Sequence, residues 1–150
     1  NNALATASQM IDIADLAASI DAGQISAAFS ALIGGWTTQD DNILIEATFR
    51  DASSIALLSL SLGPASPSDR GNISALLPYS TNAALPVGVR SIDVVMTSTR
   101  LDGDYNDGYA DNLSLILRDS GTNTVPIPST LLLCVSGLAA LAASRRRRAN

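Results

Sequence analysis

The densest run of side chains able to do chemistry is Asp102-Gly103-Asp104-Tyr105-Asn106-Asp107-Gly108-Tyr109-Ala110-Asp111-Asn112. Calcium takes about six to eight hard oxygen ligands, which closely spaced carboxylates, an Asn and glycine turns can supply. An EF-hand loop requires D-x-[DN]-x-[DN]-G. Asp102, Asp104 and Asn106 fit that pattern, but Asp107 stands where glycine is needed and no Glu closes the loop. The segment is not an EF-hand. It reads either as a calcium-holding loop of another kind or as an acidic, solvated hairpin loop rich in Asx-turns.

A second polar group, Trp36-Thr37-Thr38-Gln39-Asp40-Asp41-Asn42, follows Gly34-Gly35. A ring face for stacking beside Gln39 and Asp41 is how sugar sites are often built. The alternative packs Trp36 at a sheet edge over the two glycines, since a lone Trp more often belongs to the core. Arg50, Arg70, Arg90 and Arg100 are each expected to pair with a nearby carboxylate such as Asp51 or Asp69. Asn72-Ile73-Ser74 and Asn112-Leu113-Ser114 are acceptor sequences for N-glycosylation in a host that performs it.

Catalysis finds little to work with. The chain has no His and no Lys, and its one Cys is Cys134. That removes Ser-His-Asp triads, His-ligated zinc, Schiff bases and the phosphate-loop lysine. Two-carboxylate glycoside hydrolysis would have to use Glu46, which lies mid-strand with no general acid evident and reads as solvated sheet surface. The chain is not expected to be an enzyme.

The elements that must position these residues are strands. Ile25, Ala27, Phe29 and Ala31 share one face of 24–32, and Ile43, Ile45, Ala47 and Phe49 share one face of 42–50. Leu58, Leu60 and Leu62 alternate with serines; Ile92, Val94 and Met96 alternate with Asp93, Val95 and Thr97. Leu113, Leu115 and Leu117 alternate with Ser114, Ile116 and Arg118. Period two is the signature of half-buried strands. Between them lie Asp21-Ala22-Gly23, Gly34-Gly35, Asp51-Ala52-Ser53, Gly63-Pro64 and Gly71-Asn72, all turn-formers. The pattern predicts an all-β fold, an antiparallel β-sandwich or jelly roll, with one helical turn near 15–20.

Composition agrees. The chain has 150 residues, 47% hydrophobic and 15% charged, enough for one globular domain. All fourteen carboxylates precede Val125, against five of the nine arginines, so that part carries a net charge of −9. Such a domain should be repelled by nucleic acid, whose binding needs cations on phosphates. The end of the chain is opposite in character: Val125-Pro126-Ile127-Pro128, an uncharged Leu/Ala-rich run over 130–144, then Arg145, Arg146, Arg147 and Arg148. A helix over 130–144 would rise only ~22 Å, short of a ~30 Å hydrocarbon core unless flanking residues extend it. The arginines favour the cytoplasmic side and place the acidic domain outside. A buried C-terminal helix is the alternative, but a core helix would show a polar face.

That order of proline motif, short apolar segment and terminal arginine cluster resembles the PEP-CTERM sorting signal of Gram-negative bacteria, with Ile127 where the typical signal has Glu. The resemblance implies recognition of Val125, Pro126 and Pro128 by an exosortase-type membrane protease. The tail would be cleaved and the domain delivered through the inner membrane to the cell surface or extracellular matrix.

The segments IDIADLAASIDAG, SALIGGWTTQDDN, ATFRDASS, LPVGVRSIDVVMTSTR and NDGYADNLSLIL are similar to the galactose-binding-like jelly roll. That likeness implies a non-catalytic module for polysaccharide, with a structural calcium held by Asp111 together with Asp107 or Asp104. It also implies a first strand carrying N-G-x-F-E beside the last strand. Nothing before Gln9 matches, so the chain is expected to lack that strand and to begin inside a longer protein. The expected organisation is a jelly-roll domain over 1–121, a linker and sorting motif over 122–129, a membrane-sorting helix over 130–144, and a basic cytoplasmic end over 145–150. A purely structural envelope component without a ligand, or an accessory domain of a larger exported enzyme, are the alternatives.

Overall fold

The computed structural model describes residues 2–121. The proposed sorting motif, apolar helix and arginine cluster lie outside the described residues. No helix among the described residues is long and apolar enough to cross a membrane.

The alternating runs fold as expected into strands: β1 (Leu4–Asp12), β2 (Ile25–Gly35), β3 (Asn42–Asp51), β4 (Ala56–Leu62), β5 (Ala75–Ala84), β6 (Val89–Thr99) and β7 (Gly108–Asp119). A 3₁₀ turn (Ala14–Leu16) leads into the five-residue α1 (Ala17–Asp21), where the sequence predicted a helical turn. Two antiparallel sheets, ordered β1-β6-β3-β4 and β5-β2-β7, form a sandwich consistent with a jelly roll.

The core is built by the period-two faces. Ile25, Ala27, Phe29, Ala31 and Ile33 of β2 face Ile43, Ile45, Ala47 and Phe49 of β3, all buried. Leu62 and Ile92 complete the layer from β4 and β6. Burial of this apolar area is the main favourable contribution to folding, at roughly 25 cal/mol per Å². Glu46 stays exposed on the outer face, as its position in the alternation requires.

Two strands were not foreseen. β1 occupies Leu4–Asp12, largely ahead of Gln9, and pairs along β6. It therefore lies on the edge of the four-stranded sheet and not beside the last strand. The outer edge of β7 carries no strand among the described residues. β5 contains Pro78, which lacks the N–H of a ladder; an edge strand bonded only to β2 tolerates it. In β7 the alternation slips. Asn112 sits at φ 52° and the register against β2 shifts between Ser30 and Leu32, so a bulge leaves Leu113 48% exposed while Leu115 and Leu117 reach the core.

Candidate binding site at the loop end of the sandwich

β2, β6 and β5 run to one end of the sandwich, where loops 36–41, 63–74 and 100–107 meet. Two buried charges organise them. Asp41 is fully buried and accepts backbone N–H bonds from Leu101 (2.6 Å) and Asp102 (2.8 Å) on Oδ1 and from Asp107 (2.9 Å) on Oδ2. Burial pushes its pKa up, but the N–H groups of Asp102, Asp107 and Leu101, aided by the Arg100 charge, hold it below the usual carboxylate value. Ionised, it closes the 100–107 loop onto the end of the 36–41 loop.

Arg70, 3% exposed, performs the reciprocal task with a donor fork. Its Nη1 donates to Ala65 O (2.7 Å), and its Nη2 donates to Thr37 O and Gln39 O (both 3.0 Å) and more weakly to Trp36 O (3.5 Å). The expected pairing of Arg70 with Asp69 does not form. Asp69 instead accepts from the Ser66 hydroxyl (2.6 Å) and Ser66 N–H (2.9 Å), bonds that lower its pKa and fold the 63–74 loop on itself. Arg50 pairs with Asp93 and not Asp51, Arg90 pairs with Asp21, and Arg100 donates to the backbone carbonyl of Asp104. Arg50 and Arg90 thus pair with carboxylates as expected, but carbonyl acceptors and cross-strand partners are not legible from sequence proximity, which is why Asp51 and Asp69 were the wrong partners.

The glycines before Trp36 serve close approach. A Cβ on Gly34 would stand 1.7 Å from Ala75 O, and one on Gly35 would stand 3.2 Å from Arg70 Cζ and 3.1 Å from the carbonyl oxygens of Asp41 and Asp107. Gly34 thus lets β5 pair with β2, and Gly35 makes room for the guanidinium. Trp36 itself is 49% exposed, so it is not a core residue sealed over the glycines. The 36–41 loop also receives Asp102 Oδ2 on the Asp40 N–H (3.0 Å) and Ser74 Oγ on the Thr37 N–H (3.1 Å).

Trp36, Gln39 and Asp41, singled out from the sequence as one ligand-binding group, are therefore gathered at one end, but with different roles. Asp41 has its oxygens taken by backbone donors and shapes the loops. Gln39 keeps a buried Oε1 without a partner, while its amide packs against Gly103. Trp36 is the surface ring, and Tyr105, 71% exposed, stands on the facing loop. Arg70 and the whole 63–74 loop were not foreseen as part of this site.

The residues expected to hold calcium, Asp104, Asp107 and Asp111, lie along the 100–107 loop and the start of β7. Among the described residues no three carboxylates, cysteines or histidines are gathered as a metal-ligand group. Asp107 Oδ1 accepts from the Tyr109 hydroxyl at 3.3 Å, and Asp111 Oδ1 accepts from the N–H of Asn112 at 2.7 Å within the β7 bulge. Asp104 contributes its backbone carbonyl to Arg100.

No family model and no curated protein matches this chain. Solved structures similar to it include the enzymatically active domain of bacteriophage CBA120 tailspike protein 4, at 18% identity and TM-score 0.47, over 77% of this chain and 14% of that one. The VP2 subviral particle of infectious bursal disease virus is similar over 81% of this chain and 29% of that one, at 11% identity and TM-score 0.48. The xylohexaose complex of a CBM22-GH10 module pair from a Clostridium thermocellum endo-1,4-β-D-xylanase is similar at 7% identity and TM-score 0.43, over 76% of this chain and 26% of that one. The chain thus spans less than a third of each of these proteins, and at such identities the likeness concerns the β-sandwich fold alone.

Proposed function

We propose that this chain is a non-catalytic binding module of an exported protein, carried to the cell surface or matrix of a Gram-negative bacterium by its PEP-CTERM-like tail, and that it binds polysaccharide through the loop end. The observation that carries the reading is Trp36, a half-exposed ring on a loop whose backbone is fixed by Arg70 and bonded to the neighbouring loops. A loop held in place loses little backbone freedom when a sugar stacks on its ring, and preorganisation of this kind favours affinity.

The chemistry of the rim narrows the ligand. Asp40, Asp69, Asp102 and Asp104 are exposed on the three loops of this end, whereas Arg70 is buried and spent on carbonyls. A polymer dense in carboxylates or sulfates would be repelled, so the ligand is an uncharged or amino-bearing polysaccharide. The absence of His, Lys and a described Cys supports binding without turnover.

Two experiments test the two halves of the reading. On a glycan array the full chain is expected to bind neutral or amino-sugar polymers, and Trp36→Ala to weaken that binding at least tenfold with an unchanged melting temperature; equal binding by the variant removes the loop end from the account. In a Gram-negative host with an exosortase, intact mass of the exported protein is expected to show a C-terminus near Val125–Pro128 that is lost on Pro126→Ala. An intact end at Asn150 in the membrane fraction would make the tail a plain anchor.

A further inference from the structure

A second surface lies away from the loop end, on the outer face of the β5-β2-β7 sheet. Ser30 and Leu32 alternate with the buried Phe29, Ala31 and Ile33, so they point outward, and their direct cross-strand partners on β5 are Ser80 and Pro78. These four, with Tyr79 and Asn112, line a depression of about 260 Å³ spanning all three strands. That volume is just below the usual range for small-ligand sites, about 300–1,000 Å³, and suits a single ring.

The bulge in β7 shapes the depression. Asn112 and Leu113 together oppose Ala31, because the register passes from Ser30↔Ser114 to Leu32↔Asp111. Asn is one of the few side chains that enters the left-handed region readily, and Asn112 does so at φ 52°. Bulges of this kind re-aim a side chain and recur beside functional sites. Here the bulge sets the carboxamide of Asn112 at the rim. The carboxamide and the hydroxyls of Ser30 and Ser80 make no hydrogen bond within the described residues, while the Asn112 N–H is occupied by Asp111 Oδ1. An apolar patch from Leu32 and Pro78 is thus surrounded by three uncommitted groups that can each donate and accept. No charged side chain lines it.

We infer that this depression is a second carbohydrate subsite, taking one ring of a neutral glycan with its apolar face on Leu32 and Pro78 and its hydroxyls on Ser30, Ser80 and Asn112. The pairing follows from the two-faced chemistry of a pyranose ring, whose axial C–H patches want an apolar surface and whose equatorial hydroxyls want groups that both donate and accept. A carboxylate-bearing ring would find no cation here. The subsite is independent of Trp36 and stands or falls separately from the loop end.

The test is two-dimensional ¹H–¹⁵N NMR of the full chain titrated with cellohexaose, mannohexaose and maltohexaose, with polygalacturonate as the charged comparison. At least one neutral oligomer is expected to shift the amides of Ser30, Ser80 and Asn112 saturably, and polygalacturonate to leave them unmoved. Ser80→Leu, which fills the depression from an exposed position, is expected to weaken that response at least tenfold, and Trp36→Ala to leave it intact. Asn112→Gly is the second variant: glycine accepts the left-handed conformation, so the fold is kept while the carboxamide is removed, and binding is again expected to fall. Unmoved amides with all three neutral oligomers, or wild-type binding by both Ser80→Leu and Asn112→Gly, would overturn the assignment.

Discussion

The two ends of the sandwich are closed by opposite means. At the end near α1, Ile13, Ile20, Leu85 and Val89 are all buried and plug the gap between the sheets with apolar side chains. The polar contacts there, Asp21 with Arg90 and the N–H of Gly88, lie outside the plug and are partly exposed. At the other end the buried charged side chains are Asp41 and Arg70, and both are consumed by backbone groups of loops. An apolar plug needs only to fit. A buried charge costs several kcal/mol of lost hydration unless its bonds are made, so it tolerates few arrangements of the loops around it. The α1 end is built for stability and the loop end for fixed shape, which is the property a binding surface requires.

Removing either polar hub should break this contrast most severely. Asp41→Ala leaves the N–H groups of Leu101, Asp102 and Asp107 without their acceptor, and an unsatisfied donor shielded from water costs about 1–3 kcal/mol. Urea unfolding should show that loss, and amide exchange should rise first across 36–41 and 100–107. Full protection of those loops in the variant would contradict the role given to Asp41. Ile20→Ala removes a fully buried side chain from the opposite plug and should cost about 2–4 kcal/mol, the usual range for such cavities, while leaving exchange at the loop end unchanged.

Acid sharpens the comparison further. The folded-state pKa of Asp41 lies below its ordinary value, so its contribution is complete above about pH 4 and is lost as the pH falls through the depressed value. Thermal melts should therefore fall away below pH 4 in the wild type, with a shallower acid limb in Asp41→Asn. The α1 plug has no titrating group in its buried set, so at that end, among the described residues, only the exposed Asp21, held below its ordinary value by Arg90 and the Gly88 N–H, adds to that slope. Calcium should have the smallest effect. The ligand set expected of Asp111 with Asp107 or Asp104 is checked by melting in millimolar calcium and in chelator, and identical curves remove the metal from the account. A saturable rise would assign a cation to the 102–112 loop by mass action.

How much of this was legible follows from what leaves a period in the sequence. The faces of β2 and β3 bury every second residue, and that periodicity is written directly as Ile25-Ala27-Phe29-Ala31 and Ile43-Ile45-Ala47-Phe49. β1 leaves almost no such trace, because eight of its nine residues are exposed and neither face selects for apolar side chains. β5 was hidden by Pro78, which argues against a central strand but not against the edge position it holds. At the site, Trp36, Gln39 and Asp41 were singled out by residue type alone, and all three lie on or at the end of one loop. The division of labour among them was not legible, since it depends on Arg70 reaching back more than thirty residues to the carbonyls of Thr37 and Gln39. Nothing in a sequence marks an arginine that prefers carbonyls to its neighbouring aspartate.

The measurement that bears most directly on the account is glycan binding by the full chain against Trp36→Ala, with amide exchange of loops 36–41 and 100–107 followed in both. The account predicts that an uncharged or amino-bearing polysaccharide shifts the amides of loop 36–41 and that Trp36→Ala abolishes this loop response while the protection of both loops stays at the wild-type level. A loop response retained by the variant, or a wild-type chain whose 36–41 amides no such polymer moves, would contradict the assignment of the loop end as a binding surface.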